Sequence, residues 1–108
     1  MITASFAAMM MAEQGAKVIK VEPMNVGDPM RYIGANKGGI SSLFANCNRG
    51  KQSIRVNLKE SEGQELIREL IPQVDIFIHN FRPGVMDKLN LGSEALRGLN
   101  PRLIYAAI

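Results

Sequence analysis

Residues 75–89 read DIFIHNFRPGVMDKL. Val74, Ile76, Phe77 and Ile78 make an apolar run with the length and β-branched content of a buried strand, and it stops at His79 and Asn80. A polar pair at a strand's end belongs on a rim. Phe81, Arg82, Pro83 and Gly84 then turn the chain, since Pro holds φ and Gly admits positive φ, and Val85, Met86 and Leu89 follow in a short amphipathic segment. In an open α/β sheet, ligands bind beyond the carboxyl ends of parallel strands, so this loop has the position of a ligand-contacting one. His79 is read as a hydrogen-bonding group of the rim, because the sequence shows no positioned partner that would make it an acid or base.

Working outward, the flanks repeat the pattern. Upstream, Lys59 to Ile71 carries one apolar stripe of Leu66, Ile67, Leu70 and Ile71, with Ser61 and Gln64 at capping-box spacing, and Pro72 stops the helix. Before it, residues 53–58 alternate Ile54, Val56 and Leu58 with polar partners, a strand with one wetter face. Downstream, Ser93 is placed to cap a helix through Leu99, and residues 102–108 read as a further strand. Near the amino end, residues 3–14 have helical spacing in Phe6, Ala7, Met9 and Met10, with Thr3 or Ser5 as N-cap, and a strand KVIKVE follows over 17–22. The Met stripe is taken as core. Residues 23–39, with two Pro, four Gly and two Asn, read as loop, and residues 40–47 as a short helix. Alternating strand and helix predicts an α/β architecture with a parallel sheet and helices on both faces.

Composition narrows the function. A chain of 108 residues makes one domain at most, so 1–108 is read as a single partial domain. Hydrophobic content of 46% beside 21% charged residues suits a soluble protein, and no apolar run approaches the roughly 18 residues of a membrane span. No basic region precedes the apolar first residues, so a signal peptide is not expected and a cytoplasmic location is. Thirteen basic against ten acidic residues is a mild excess that fits an anionic ligand, while two Tyr and four Phe supply a stacking surface for nucleic acid only poorly. The single Cys47 excludes an internal disulfide and, with only His79 as a nitrogen ligand, a metal site; it reads as a small buried residue near a helix end.

The phrases GAKVIKVEP, GDPMR, NRGKQSIRVNLKESEGQELI, DIFIHNFRPGVMDKLNLG and LNPRLIYA, in this order, resemble the amino-terminal part of the family III coenzyme A transferases. That family includes formyl-CoA and carnitine-type CoA transferases and α-methylacyl-CoA racemases. The resemblance implies a Rossmann-like large domain that binds CoA or an acyl-CoA as substrate without a metal, a second small domain, and a homodimer of interlocked rings. By position, Val56 and Lys59 match places that contact CoA, and Asn80 and Phe81 match the pair after the fourth strand. Lys88 and Leu89 match a basic and apolar pair near the adenosine phosphates and adenine. Arg31 and Arg82 are further phosphate contacts on this reading; taken without the resemblance, Arg31 is a solvated surface residue. Many relatives have Glu where this chain has His79.

The resemblance also implies what is missing. The family's catalytic residue is an Asp that forms an acyl anhydride and then a CoA thioester, by covalent nucleophilic catalysis. Asp28, Asp75 and Asp87 do not stand in its motif, so no catalytic residue is assigned in this chain. The family's first β-strand has no counterpart ahead of the first helix. In a 3-2-1-4 order that strand is central, so the sheet is expected to be partial, with the gap closed by a rearranged strand order or by a second copy. Three functions follow: part of a transferase, inactive alone; a stand-alone CoA or nucleotide binding module; or a self-associating structural domain.

Overall fold

The computed structural model describes residues 2–108, and the chain forms two compact units that meet in sequence at Val56 and Asn57. Each unit is built on one parallel pair of strands flanked by helices, so the α/β class holds. The partial parallel sheet is present as separate two-stranded pieces, one parallel pair in each unit.

The first unit opens with α1 (Ile2–Glu13), then β1 (Val18–Glu22), a 3₁₀ turn (Pro29–Tyr32), β2 (Asn36–Lys37), β3 (Ile40–Ser41), α2 (Ser42–Asn48) and β4 (Lys51–Arg55). Helix α1 begins before Thr3 and Ser5, so neither caps it. It turns Ala4, Ala8 and Met9 inward, with small residues allowing close approach to α2 and β1, and leaves Phe6 and Met10 of the expected core stripe about half exposed. Strand β1 pairs in parallel with β4, Val18 opposite Lys51 and Glu22 opposite Arg55, and the backbone N–H of Val56 extends the ladder to the Glu22 carbonyl. The second strand therefore lies earlier than the 53–58 read from its alternation. Within 23–39 the chain is more ordered than a loop: Gly38 and Gly39, both at positive φ, close a two-residue hairpin between β2 and β3. Ser41 caps α2 by accepting from the Phe44 N–H, and Cys47 is buried in that helix, as its composition suggested.

The second unit contains α3 (Ser61–Leu70), a 3₁₀ turn (Ile71–Gln73), β5 (Ile76–His79), α4 (Val85–Lys88), α5 (Ser93–Leu99) and β6 (Ile104–Ala107). Its core is aliphatic: Ile67, Ile71, Met86, Leu91, Leu96 and Leu103 are buried. Of the stripe read from the sequence, Ile67 and Ile71 carry the burial while Leu66 points outward. No capping box forms, because Gln64 donates instead to the Leu58 carbonyl, 3.0 Å away, and Gly92 rather than Ser93 occupies the N-cap position of α5. Asn100 closes the unit from within, donating from Nδ2 to the carbonyls of Ile71 and Val74 at 3.1 and 2.9 Å.

Strand β5 pairs in parallel with β6 in the register Ile76 to Ile104 through His79 to Ala107. Among the described residues no other strand joins β1 or β5, so strand order is not rearranged to close a gap. Parallel strands are normally covered on both faces. Here Ile19, Val21, Ile76 and Ile104 remain exposed.

Candidate functional site

In each unit a loop leaves the carboxyl end of the first strand of the parallel pair, β1 in one and β5 in the other. In the second unit β5 ends at His79, whose carbonyl still accepts from the Ile108 N–H. The buried imidazole lies against Phe77, Phe81 and the edge-on ring of Tyr105, the last with centroids 5.3 Å apart. Its Nδ1 accepts from the Phe81 N–H at 3.1 Å. A backbone amide can only donate, so Nδ1 carries no proton and the neutral ring holds its proton on Nε2. Burial pushes the His79 pKa below its ordinary value, with Asp87 pulling weakly the other way. This bears on the rim role read from the sequence: the side chain bonds within its own turn.

The turn delivers three kinds of surface. Asn80 keeps its Nδ2 buried with no hydrogen-bond partner, the one such side-chain atom among the described residues. Such a donor costs about 1–3 kcal/mol unless something accepts from it. Phe81 presents nearly half its surface to solvent, and Arg82 is exposed. Gly84, at φ 79°, then sits in the left-handed region that ends the turn and starts α4, which carries Lys88 outward and leaves Leu89 half-buried. A reversal follows, with the Leu91 N–H bonded to the Met86 carbonyl at 2.9 Å and Asn90 at φ 57°. Tyr105 Oη donates to the Leu91 carbonyl, so β6 fixes the far end of the loop. Lys59 lies exposed just before α3. Lys59, Arg82 and Lys88 form no ion pair among the described residues. Asn80, Phe81, Arg82, Lys88 and Leu89 thus share one loop and helix, with Lys59 in the same unit.

Arg31 and Val56 belong to the first unit, and their settings differ from the expectation. The sequence GDPMR builds a clamp. Gly27, at φ 70°, has Glu22 Oε2 so near that an added Cβ would stand 2.7 Å from it. Asp28 Oδ1 accepts from the Met30 N–H, Pro29 starts the 3₁₀ turn, and Met30 is fully buried. Arg31 then reaches the buried Glu22 through Nε at 2.8 Å and Nη2 at 2.7 Å, with its guanidinium 4.0 Å above the Phe44 ring. The solvated reading of Arg31 is thereby replaced: two of its nitrogens are committed within the fold, although a third of the side chain stays exposed. Glu22 also accepts from the Asp28 N–H and Ser53 Oγ, and the Arg31 hydrogen bond foremost lowers its pKa to about 2 against the cost of burial. Lys20 and Asp28 add a pair at 2.6 Å. Val56 is buried, so its side chain faces the core.

A further cation, partly buried, escaped the sequence reading. Lys51 Nζ donates to the carbonyls of Ser5 and Cys47 and to Asn48 Oδ1 at 2.7–3.0 Å, joining α1 to the end of α2. Burial, aided by the charge of Lys20, lowers its pKa to about 8. No signal in the sequence marked it, since the strand was read as beginning at residue 53.

Comparison with known proteins agrees with the sequence phrases. Acetyl-CoA:oxalate CoA-transferase of Acetobacter aceti is 42% identical over 102 residues, covering 94% of this chain and 26% of that protein. Human succinyl-CoA:glutarate CoA-transferase is 38% identical over 104 residues, covering 95% and 24%. The crystal structure of a CAIB/BAIF family protein from Brucella suis superposes with a TM-score of 0.89 at 38% identity, covering 98% of this chain and 29% of that one. The chain spans about a quarter of the length of the curated relatives it matches. With residues 1–108 matching the family throughout, the chain belongs to CoA-transferase family III.

Proposed function

We propose that this chain supplies coenzyme A contacts to a transferase that moves CoA between carboxylic acids through an Asp-bound intermediate, the Asp lying outside residues 1–108. Residues 1–108 then form one part of the large CoA-binding domain, in a cytoplasmic homo-oligomer. The observation that carries the reading is the unpartnered amide of Asn80 at the carboxyl end of β5, beside an exposed Phe81 and unpaired Arg82 and Lys88. A buried donor asks for an acceptor, a ring offers a face, and mobile cations suit phosphates. Lys59 and Leu89 complete the second unit's contribution. In the first, the remaining nitrogen of Arg31 is the available phosphate donor, and Val56 contributes by shaping the end of β4.

On this reading none of the chain's own aspartates is the nucleophile; Asp28 is buried and paired with Lys20, which supports this, and Asp75 and Asp87 stand exposed. The chain by itself therefore binds and does not turn over. Calorimetry with coenzyme A tests this. Micromolar binding that weakens about tenfold in Lys59→Ala or Lys88→Ala, with no CoA exchange between carboxylates, is expected. No binding heat at any accessible concentration would overturn it.

A further inference from the structure

The link from His79 to Phe81 spans two residues and reproduces, with an imidazole nitrogen, what the side-chain oxygen of Asn or Asp does in an Asx turn. In such a turn the acceptor fixes the direction of the intervening residue, here Asn80. That matters because Asn80 carries the unpartnered buried donor, and Phe81 the exposed ring. The ring of His79 is itself immobilised by Phe77 and Tyr105, which stack with centroids 5.3 Å apart and share its face of the strand pair. The acceptor is therefore held by tertiary packing, not by its own rotamer alone.

We propose that His79 is a positioning residue: its unprotonated Nδ1 holds the Asn80–Phe81 turn in the conformation that meets coenzyme A. This rests on the proposed CoA reading for its ligand but on the observed hydrogen bond for its mechanism. Protonation at Nδ1 converts the acceptor into a donor facing another donor, and the turn is released. The groups facing the imidazole are Asp87 from α4, which favours protonation, and the Tyr105 phenol from β6; no other charged or titratable group is set against it among the described residues. The retained neutral form at pH 7 keeps the turn closed, so release belongs to acid.

The test uses the 108-residue chain. Without ligand, a pH titration followed by nitrogen-resolved NMR is expected to show the Phe81 amide moving with the same midpoint as the His79 ring, below the ordinary histidine value of about 6.5. A Phe81 amide indifferent to that titration overturns the proposal, whatever the chain binds. With coenzyme A at pH 7.5, His79→Phe should bind about tenfold more weakly, the loss of one turn-fixing hydrogen bond, while His79→Asn, which keeps an acceptor, should stay near wild type. The phosphates of coenzyme A titrate in the same range, so the readout at pH 5 is the drop in wild type beyond that in His79→Asn. Equal binding by His79→Phe and wild type overturns the positioning role. If none of the three binds coenzyme A, the CoA reading fails and the amide titration alone decides the hydrogen-bonded turn.

Discussion

The two units use the same plan, a parallel strand pair with a loop at its carboxyl end, and hold that loop by different forces. In the first unit the loop after β1 is tied down by charge: a carboxylate with no exposed side-chain surface, its guanidinium partner, and a second ion pair beside it. In the second, the loop after β5 rests on an aliphatic core and is shaped by one imidazole and two backbone reversals. Neither arrangement is replaceable by the other, because a buried carboxylate without its partner is costly while an aliphatic core is indifferent to pH. The contrast teaches that loops in equivalent positions can fail under different conditions.

The comparison can be broken by perturbing each unit in its own terms, with native-state hydrogen exchange reporting each unit separately. The largest effect is expected in the aliphatic unit. Leu96 is fully buried, so Leu96→Ala should lower protection of α5 and β6 by about 3–4 kcal/mol through lost burial and the cavity left behind. Protection within about 1 kcal/mol of wild type would show that this core is not what holds the unit.

Glu22→Gln comes next, with a loss of about 3 kcal/mol expected in β1 and β4 at pH 7. The pH course sharpens it. Glu22 has a folded pKa of about 2 against an ordinary 4.5, so the folded state binds the proton less readily than the unfolded chain. Its contribution is complete above pH 4.5 and is lost as pH falls toward 2. The wild type should lose protection in that window relative to Glu22→Gln, and parallel curves would refute the charge-held loop. His79 has the same sign at a different place: its folded pKa is lowered from 6.5, so the second unit should lose stability as pH falls from 6.5 through that lower value.

Asn100→Ala should cost about 1.5 kcal/mol, since it leaves the Val74 carbonyl without its donor and takes from the Ile71 carbonyl one of two, the Val74 N–H remaining. Exchange of the Ile71–Gln73 turn is the place to read it, and Asn100→Asp should recover little, because a carboxylate cannot donate to those carbonyls. The smallest effect is expected at the surface. Arg49 and Glu13 meet at 2.7 Å with each side chain half exposed, so Glu13→Gln should change thermal stability by no more than about 0.5 kcal/mol, less in high salt.

Much of the local structure was legible in sequence because its signals are local. The run at 76–78, the Pro and Gly that follow it, and the periodicity around Ile67 placed strand, turn and helix within a few residues of where they stand. The capping assignments at Ser61 and Ser93 missed because a side-chain cap competes with other partners, and Gln64 found the Leu58 carbonyl instead. The strand at 51–55 was read too late because Lys51 looks like a loop residue until its ammonium is seen satisfied by three acceptors. Arg31 looked solvated because its partner lies nine residues away, across a turn no periodicity describes.

By itself, then, the sequence determined the principal helices and strands, the α/β class and the family, all carried by short patterns of apolar spacing, turn residues and contiguous phrases, while the hairpin of β2 and β3 escaped it. Tertiary structure decided where charge could be buried, since Glu22 is tolerable only where Arg31, Ser53 and the Asp28 amide converge on it. It also decided what residues 75–89 offer: His79 turned inward to hold the Phe81 amide, and Asn80 left with a donor in search of an acceptor. Hydrogen-bond satisfaction is a property of three-dimensional neighbours, and no spacing along a chain reveals it.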